Sequence, residues 1–245
     1  MEGKENDEPE PRKEETELNQ INIEYLNQYE KEYDRSIKLI LLGDSSVGKT
    51  SFLNRITKKP FNSNTSPTIA LQHYNVIIKI NSLVLRIQIW DTAGQEKFNS
   101  ITSTYYKSTD VVLFIYSIDN KESFNRIPEW IKEFDSKNTN TGNEEQKMLK
   151  ILIGNKKDLE NTRKISYEEG KNLSEKNEFS FFSEISCKDE EDEKNNENID
   201  KIVKIIGEEF YKIFESSKGE RLNSSSYLYE ASQSVLGRKK KKCFC

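Results

Sequence analysis

Two glycines, a lysine and a hydroxyl side chain stand at fixed spacing in GDSSVGKT, Gly43–Thr50, which fits the pattern G-x-x-x-x-G-K-[ST]. A predicted buried strand comes directly before it and a predicted helix follows. Glycines let a backbone wrap around a polyphosphate, consecutive amides form an anion-binding nest, and a helix start adds positive dipole. Lys49 would bridge the terminal phosphates, and Thr50 would offer its hydroxyl to Mg²⁺, which prefers oxygen ligands. The stretch predicts a polyphosphate site made by Ser45, Ser46, Val47, Gly48, Lys49, Thr50 and Ser51.

The stretch NKKD, Asn155–Asp158, bears on which base the site accepts. It follows a predicted strand, at the sheet edge where open α/β sheets bind ligands. Asp158 can accept hydrogen bonds from the N1 and N2 donors of guanine, and adenine would leave this carboxylate unpaired. A later stretch, SCK, could close over the base with backbone amides. Guanine is therefore predicted, surrounded by Asn155, Lys156, Asp158, Ser186, Cys187 and Lys188.

A third stretch, DTAGQE, begins at Asp91 at the end of another predicted strand. Asp91 would supply a carboxylate for the outer shell of Mg²⁺, and the amide of Gly94 could contact a γ-phosphate. Gln95 would then orient a water molecule for in-line attack. Together, the three stretches predict a site that hydrolyses GTP, with Gln95 as the catalytic residue.

The elements that must position these residues alternate between apolar runs and helical patterns from about Ser36 to Ser216. This order predicts an α/β domain with a mixed, mostly parallel sheet of six strands and helices on both faces. The predicted strands are Lys38–Leu42, Tyr74–Ile80, Leu83–Trp90, Val111–Tyr116, Lys150–Asn155 and Phe179–Ser183, the second and third forming a hairpin. The predicted helices are Lys49–Lys58, Ser123–Asp135, Ser166–Asn177 and Ile199–Phe214.

Polar composition sets both ends of the chain apart from this domain. Residues 1–17 are almost without apolar side chains, which predicts disorder there, within a disordered or partly helical leader over residues 1–35. Within the leader, Leu18–Tyr33 has helix-like spacing, so a short amphipathic helix and a loosely ordered segment are both open. The acidic stretch Lys188–Asn198 predicts a solvated loop. Residues 217–245 predict a flexible tail ending in GRKKKKCFC.

Overall composition excludes several classes of protein. A formal net charge of -4 does not suggest a general nucleic-acid binder. Three cysteines provide no disulfide framework, and a single histidine leaves no zinc site of the usual spacing, so a reducing compartment is expected. No apolar run approaches the ~18 residues of a membrane-spanning helix.

The order and context of the three stretches resemble those of Ras-superfamily small GTPases, which have a P-loop NTPase fold. The resemblance is strongest to the Rab family, in RIQIWDTAGQEKF (86–98), ITSTYYKSTD (101–110) and a double-cysteine end. It covers roughly Ser36–Phe214 plus the tail. It implies that Thr68 senses the γ-phosphate through Mg²⁺, that Phe61 stacks beside the base, and that GTP and GDP are the ligands.

Rab resemblance also implies a cycle and a set of partners. Cys243 and Cys245 would carry prenyl groups beside the basic run Arg238–Lys242, because stable membrane anchoring requires two signals. Thr65 stands where heterotrimeric α subunits place a catalytic arginine, so slow hydrolysis is expected without an activating protein. The implied partners are an exchange factor, a GTPase-activating protein, effectors and an escort that masks the lipids. The implied location is the cytoplasmic face of endomembranes, with a cytosolic pool and a role in vesicle traffic.

The segment after Thr68 departs from the Rab pattern, with Ala70, Leu71, Gln72 and His73 in place of G-V-D-F. The replaced phenylalanine belongs in Rabs to an aromatic cluster matched here by Trp90 and Tyr105, so the choice of effector stays open. Two other functions stay open. One is a Rab-like module that binds nucleotide with little hydrolysis, and the other is an ATP-using P-loop enzyme, which the NKKD stretch disfavours.

Overall fold

The computed structural model describes residues 23–26, 32–62, 72–91, 105–138, 148–188 and 193–236. In this part of the chain one sheet has the strand order β1-β3-β4-β2-β5-β6-β7. β1 and β3, and β3 and β4, pair antiparallel, whereas the other neighbours pair parallel. The strands are β1 (Ile23–Leu26), β2 (Arg35–Leu42), β3 (Gln72–Ile80), β4 (Leu83–Asp91), β5 (Val111–Ser117), β6 (Leu149–Asn155) and β7 (Phe181–Glu184). The predicted mixed, mostly parallel sheet is confirmed.

Helices cover both faces of the sheet. The helices are α1 (Lys49–Ile56), α2 (Lys121–Asn125), α3 (Ile127–Lys137), α4 (Tyr167–Lys176) and α5 (Glu193–Leu236), with a 3₁₀ helix at Lys157–Thr162. α1 and α5 bury apolar side chains in a core on one face, and α3 and α4 contribute to a core on the other. The helix predicted over Ser123–Asp135 is divided at Arg126 into α2 and α3. None of the described helices has an apolar stretch long enough to cross a membrane.

The central strands are buried because both faces of the sheet are covered. All seven residues of β5 are buried, as a continuous apolar run in a parallel sheet predicts. β4 instead alternates buried with half-buried residues. The carboxyl ends of β2, β4, β6 and β7 therefore belong to a buried sheet, and they lie together at one end of it.

The strand count differs from the prediction because of β1. Six strands were predicted, and the seventh lies in the leader, where the hypothesis of a helix over Leu18–Tyr33 is wrong for Ile23–Leu26. β1 pairs with the Ile77–Ile80 end of β3, and Ile23 and Tyr25 pack against the core under α5. Pairing with an otherwise open sheet edge outweighs the weak helical spacing of these residues.

The last helix is longer than predicted at both ends. α5 begins at Glu193, inside the acidic stretch predicted to be a loop, and its backbone continues to Leu236, past the predicted end at Phe214 and into the segment predicted as a flexible tail. An acidic residue in the first turn suits the helix dipole. The helix contains no proline, and adding residues to a formed helix gains one hydrogen bond each.

Candidate functional site

Described residues from each of the three predicted motifs lie at the carboxyl end of the sheet. β2 leads into Gly43, β4 ends at Asp91, β6 ends at Asn155, and the chain after β7 reaches Ser186. These four strands run in the same direction through their parallel pairings. Their carboxyl ends therefore surround one crevice, where ligands of α/β sheets bind.

The loop Gly43–Gly48 approaches its neighbours so closely that side chains could not replace its glycines. A Cβ at Gly43, where φ is +142°, would lie 2.1 Å from the carbonyl oxygen of Ile115. A Cβ at Gly48, where φ is +96°, would lie 2.2 Å from Nδ2 of Asn155. Gly48 also caps α1, so the loop delivers its last amides directly into a helix start.

Lys49 lies inside this loop and is buried. Its Nζ donates hydrogen bonds to the carbonyl oxygens of Gly43 at 2.8 Å and Asp44 at 2.7 Å. A buried ammonium needs such partners. Two carbonyls of its own loop thus fix the position of the Lys49 ammonium.

Thr50 and Asp91 form the oxygen-rich part of the site. The Thr50 Oγ1 donates to Oδ2 of Asp91 at 2.6 Å, and Asp91 is completely buried. The pair joins the first turn of α1 to the end of β4. A hydroxyl and a carboxylate this close suit a hard divalent cation, so the residues present fit the predicted Mg²⁺.

Asn155 connects the loop Gly43–Gly48, the predicted phosphate-side loop, to the NKKD and SCK stretches, the predicted base-side loops. Its Nδ2 donates to the carbonyl oxygen of Val47 at 2.8 Å, and its Oδ1 accepts from the amide of Cys187 at 3.3 Å. The residue is buried. Asn155 therefore acts as a strut between three loops.

Asp158 lies beside Ser186 of the SCK stretch. It is exposed at the edge of the crevice, and Ser186 Oγ donates to its Oδ1 at 2.6 Å. The amide of Lys188 donates to the same Ser186 Oγ at 3.3 Å. Lys156, between the strut and Asp158, has the left-handed φ of +64° that turns the chain after β6. The NKKD and SCK stretches thus form one continuous wall.

Cys187 is part of this wall, and its environment excludes a nucleophilic role. Burial raises the pKa of its thiol to about 12, outweighing the opposing influence of Arg55. A thiol with this pKa stays neutral near pH 7 and is not a nucleophile. Cys187 contributes its backbone amide and its packing.

Some predicted residues lie outside the described part of the chain. These are Thr68, Gly94, Gln95, Cys243 and Cys245. Phe61, predicted to stack on the base, is described and is half-buried after the end of α1. Its role and the roles of the undescribed residues stay predictions.

His73 lies in the aromatic cluster predicted from the Rab resemblance. Its ring centroid is 5.5 Å from that of Trp90, which is 6.3 Å from that of Tyr105. The Nζ of Lys38 lies 5.5 Å from the Trp90 ring centroid and 5.8 Å from that of Tyr105. At the position where the Rab resemblance implies a phenylalanine, the His73 ring therefore contacts Trp90, on a surface that also carries the Lys38 cation.

Four contacts to the site were not predicted from the sequence. Asn195 of α5 exchanges two hydrogen bonds of 2.7 Å with the backbone of Ser186, although it lies in the stretch predicted to be a loop. Trp130 and Arg126 contact Asp44, which no motif position singled out. Local spacing does not reveal Trp130, which contacts a residue 86 positions away in sequence. Asn195 is only nine positions from Ser186, but it lies in an acidic stretch whose composition indicated a loop.

A glycine loop leading from a strand into a helix, with a buried lysine and a hydroxyl–carboxylate pair, defines a P-loop nucleotide-binding domain. Comparison with known proteins narrows the class. Residues 38–210 match the Ras family. The chain is 36% identical over 206 residues to the Ras-related protein RABA5b of Arabidopsis thaliana, covering 82% of this chain and 88% of that protein. It is 37% identical to Rab-1 of Theileria parva, over 71% and 77% of the two chains.

A third relative is the GTP-binding protein YPT1 of Saccharomyces cerevisiae, 35% identical over 61% of this chain and 70% of the yeast protein. The protein belongs to the Ras family and is a Rab-type small GTPase.

Proposed function

We propose that this protein is a guanine-nucleotide switch that binds GTP or GDP with Mg²⁺, hydrolyses GTP slowly and regulates vesicle traffic. The observation that carries the proposal is the Asn155 strut, which joins Val47 of the phosphate-side loop to Cys187 beside Asp158. One nucleotide could then contact both groups of loops at once.

Phosphate binding would rest on Lys49 and the amides of Ser45, Ser46, Val47 and Gly48. Thr50 and Asp91 would hold Mg²⁺, which neutralises phosphate charge as the terminal bond breaks. In the described residues no three His, Cys, Asp or Glu side chains form a metal-binding group. The remaining ligands would therefore be phosphate oxygens, water and the hydroxyl of Thr68.

Hydrolysis would depend on Gln95 to orient water and on the amide of Gly94 and the hydroxyl of Thr68 to sense the γ-phosphate. Loss of that phosphate would release the segment that contains Thr68 and the segment that contains Gly94, which would change the surface that partners recognise. An arginine supplied by an activating protein is worth about 10³ to 10⁵ in rate in related systems. We expect slow single-turnover phosphate release from the purified protein, and fast release without a partner would contradict this mechanism.

Membrane attachment would use prenyl groups on Cys243 and Cys245 together with Arg238–Lys242. Two lipid chains bind membranes stably, so an escort protein would have to mask them during cycling, beside an exchange factor, an activating protein and effectors. The expected location is the cytoplasmic face of endomembranes with a cytosolic pool. Mass spectrometry of the cellular protein tests whether Cys243 and Cys245 are prenylated, and unmodified cysteines would contradict this mode of membrane attachment.

The sharpest test of base recognition is Asp158→Asn. Asparagine can donate to the C2 carbonyl of xanthine but cannot accept from both N1 and N2 of guanine. A lost hydrogen bond to a charged group costs about 1.5–3 kcal/mol, so GDP affinity should fall roughly tenfold to a hundredfold while affinity for xanthosine diphosphate rises. Asp135→Asn, at an exposed carboxylate paired with Lys150, is the matched control and should change neither affinity.

Nucleotide-binding measurements combined with a phosphate-release assay separate the alternative functions. Binding of fluorescent GDP together with no release of phosphate from GTP, even with an added activating protein, would favour the second function. In that case the protein is a nucleotide-binding module with an altered segment around His73. Equal binding of ATP and GTP analogues would favour the ATP-using enzyme.

A further inference from the structure

Asp44, the second residue of the phosphate-side loop, turns its side chain away from Lys49 and toward α3. Its backbone carbonyl accepts the hydrogen bond from Lys49 Nζ, while its carboxylate accepts a hydrogen bond from Trp130 of α3 and forms an ion pair with Arg126, directly before α3. The residue is only 8% exposed. Asp44 therefore joins the lysine of the site to an element that carries no nucleotide-binding motif.

These two partners of the Asp44 carboxylate lie in the first turn of α3 and at its N-cap. Trp130 Nε1 donates to Oδ1 of Asp44 at 2.8 Å, and a guanidinium nitrogen of Arg126 lies 3.3 Å from Oδ2. Trp130 is itself buried, and the completely buried Ile127 and Phe134 anchor the helix on the sheet. The Asp44 carboxylate is thus bonded to a helix whose apolar side chains are buried in the core.

The position of the Lys49 ammonium depends on two carbonyl groups, and each is fixed differently. The Gly43 backbone lies directly against the backbone of Ile115, so the sheet fixes it. Asp44 is fixed through its side chain. A rotation of the Asp44 peptide would move one of the two acceptors that aim the ammonium.

We propose that Trp130 and Arg126 are positioning residues for phosphate binding, acting through Asp44 on Lys49. This inference rests on the proposed function, because it takes Lys49 to contact the β-phosphate. Neither residue touches the nucleotide. Both keep the Asp44 peptide in the orientation that places the ammonium, and functional groups need such support to stay in productive geometry.

The test uses Trp130→Phe in the full chain, because phenylalanine keeps most of the buried volume and removes the Nε1 donor. Displacement of fluorescent GDP by GDP, GMP and inosine diphosphate measures three affinities. We expect GDP to bind about tenfold more weakly and GMP, which has no β-phosphate, to change about twofold or less. The ratio of GDP to inosine diphosphate affinity, which reports on Asp158 through the guanine N2 donor, should stay unchanged.

Arg126→Gln is the second variant, because this arginine is 31% exposed and its replacement leaves the core intact. We expect about threefold weaker GDP binding from it. Lys132→Gln removes a cation from an exposed position of the same helix and should have no effect. Combined with Asp44→Ala, Trp130→Phe should cost GDP affinity little more than Asp44→Ala alone, since both remove the same contact.

Equal weakening of GDP and GMP by Trp130→Phe, or unchanged GDP binding by folded Trp130→Phe and Arg126→Gln, would overturn the positioning role. If Trp130→Phe does not fold, Arg126→Gln decides alone, through the same GDP-to-GMP ratio. Failure of the unaltered protein to bind any guanine nucleotide would instead contradict the proposed function.

Discussion

The strut around Asn155 and the edge strand β1 are both held by contacts between residues distant in sequence, but these contacts differ in burial. At the strut, Asn155 and Cys187 are 1% and 3% exposed, and the Asn155 side chain donates to the backbone carbonyl of Val47 and accepts from the backbone amide of Cys187. At the edge, Tyr25 OH donates to Asp200 at 3.0 Å, and Lys58 pairs with the same carboxylate at 2.7 Å, with about half of each charged side chain exposed.

This difference in burial predicts a difference in energy. A hydrogen bond in a buried network is costly to break, because the partner left behind is desolvated. An exposed ion pair adds at most about 1 kcal/mol, since water replaces the lost partner. We therefore expect the β1 edge to open locally before the strut does.

Asn155→Ala should have the largest effect. It removes the partner of the Val47 carbonyl and of the Cys187 amide, both inside the molecule. We expect the free energy of unfolding to fall by about 2–4 kcal/mol and GDP affinity to fall with it. Urea unfolding and nucleotide displacement measure the two effects.

Asn177→Ala is the matched control for this change. Asn177 is half-buried at the end of α4 and donates one hydrogen bond of 2.9 Å to Leu173, far from the crevice. We expect a loss of about 1 kcal/mol or less and no change in GDP affinity. An equally small effect at Asn155 would show that the strut is no stronger than a helix end.

Cys187 provides a pH test of the buried wall. Burial raises its native pKa from 9.0 to about 12, so below pH 9 the thiol is neutral in both states and its contribution is complete. As pH rises above 9, the thiol ionises first in the unfolded chain. The stability that the buried neutral thiol contributes therefore declines toward pH 12. The stability difference between the unaltered protein and Cys187→Ala should shrink by about 1 kcal/mol between pH 8 and 10. A constant difference would mean that the thiol reaches water in the native state.

The two regions also differ in how far the sequence predicts them. The position of Lys49, Asp91 and Asp158 around one crevice was predictable because each belongs to a motif that begins at, or directly after, the end of a strand. β1 was not, since four residues carry little periodicity and its strand state comes from pairing with β3. Trp130 escaped prediction because its contact with Asp44 is made across the fold, and Asn195 escaped it because the acidic stretch around it indicated a loop.

Tyr25→Phe tests the edge with a smaller expected effect. It removes the hydroxyl that bonds to Asp200 and keeps the ring, over which Lys58 Nζ lies at 4.4 Å from the centroid. We expect about 0.5–1 kcal/mol of lost stability and faster amide hydrogen exchange in β1 and Ile77–Ile80, with exchange in β6 unchanged. Tyr167→Phe, at an exposed tyrosine of α4, is the control. Faster exchange in β6 as well would mean that edge and strut open together.

The ion pair of Lys58 and Asp200 should contribute least, because water reaches both side chains. In a double-mutant cycle with Lys58→Gln and Asp200→Asn, we expect a coupling energy of about 0.3 kcal/mol at low salt. The coupling should disappear at 1 M salt, where the screening length is about 3 Å. A coupling well above 1 kcal/mol that survives salt would mean that this pair is held as firmly as a buried contact. The contrast between edge and strut would then lose its physical basis, since burial would no longer separate the two regions.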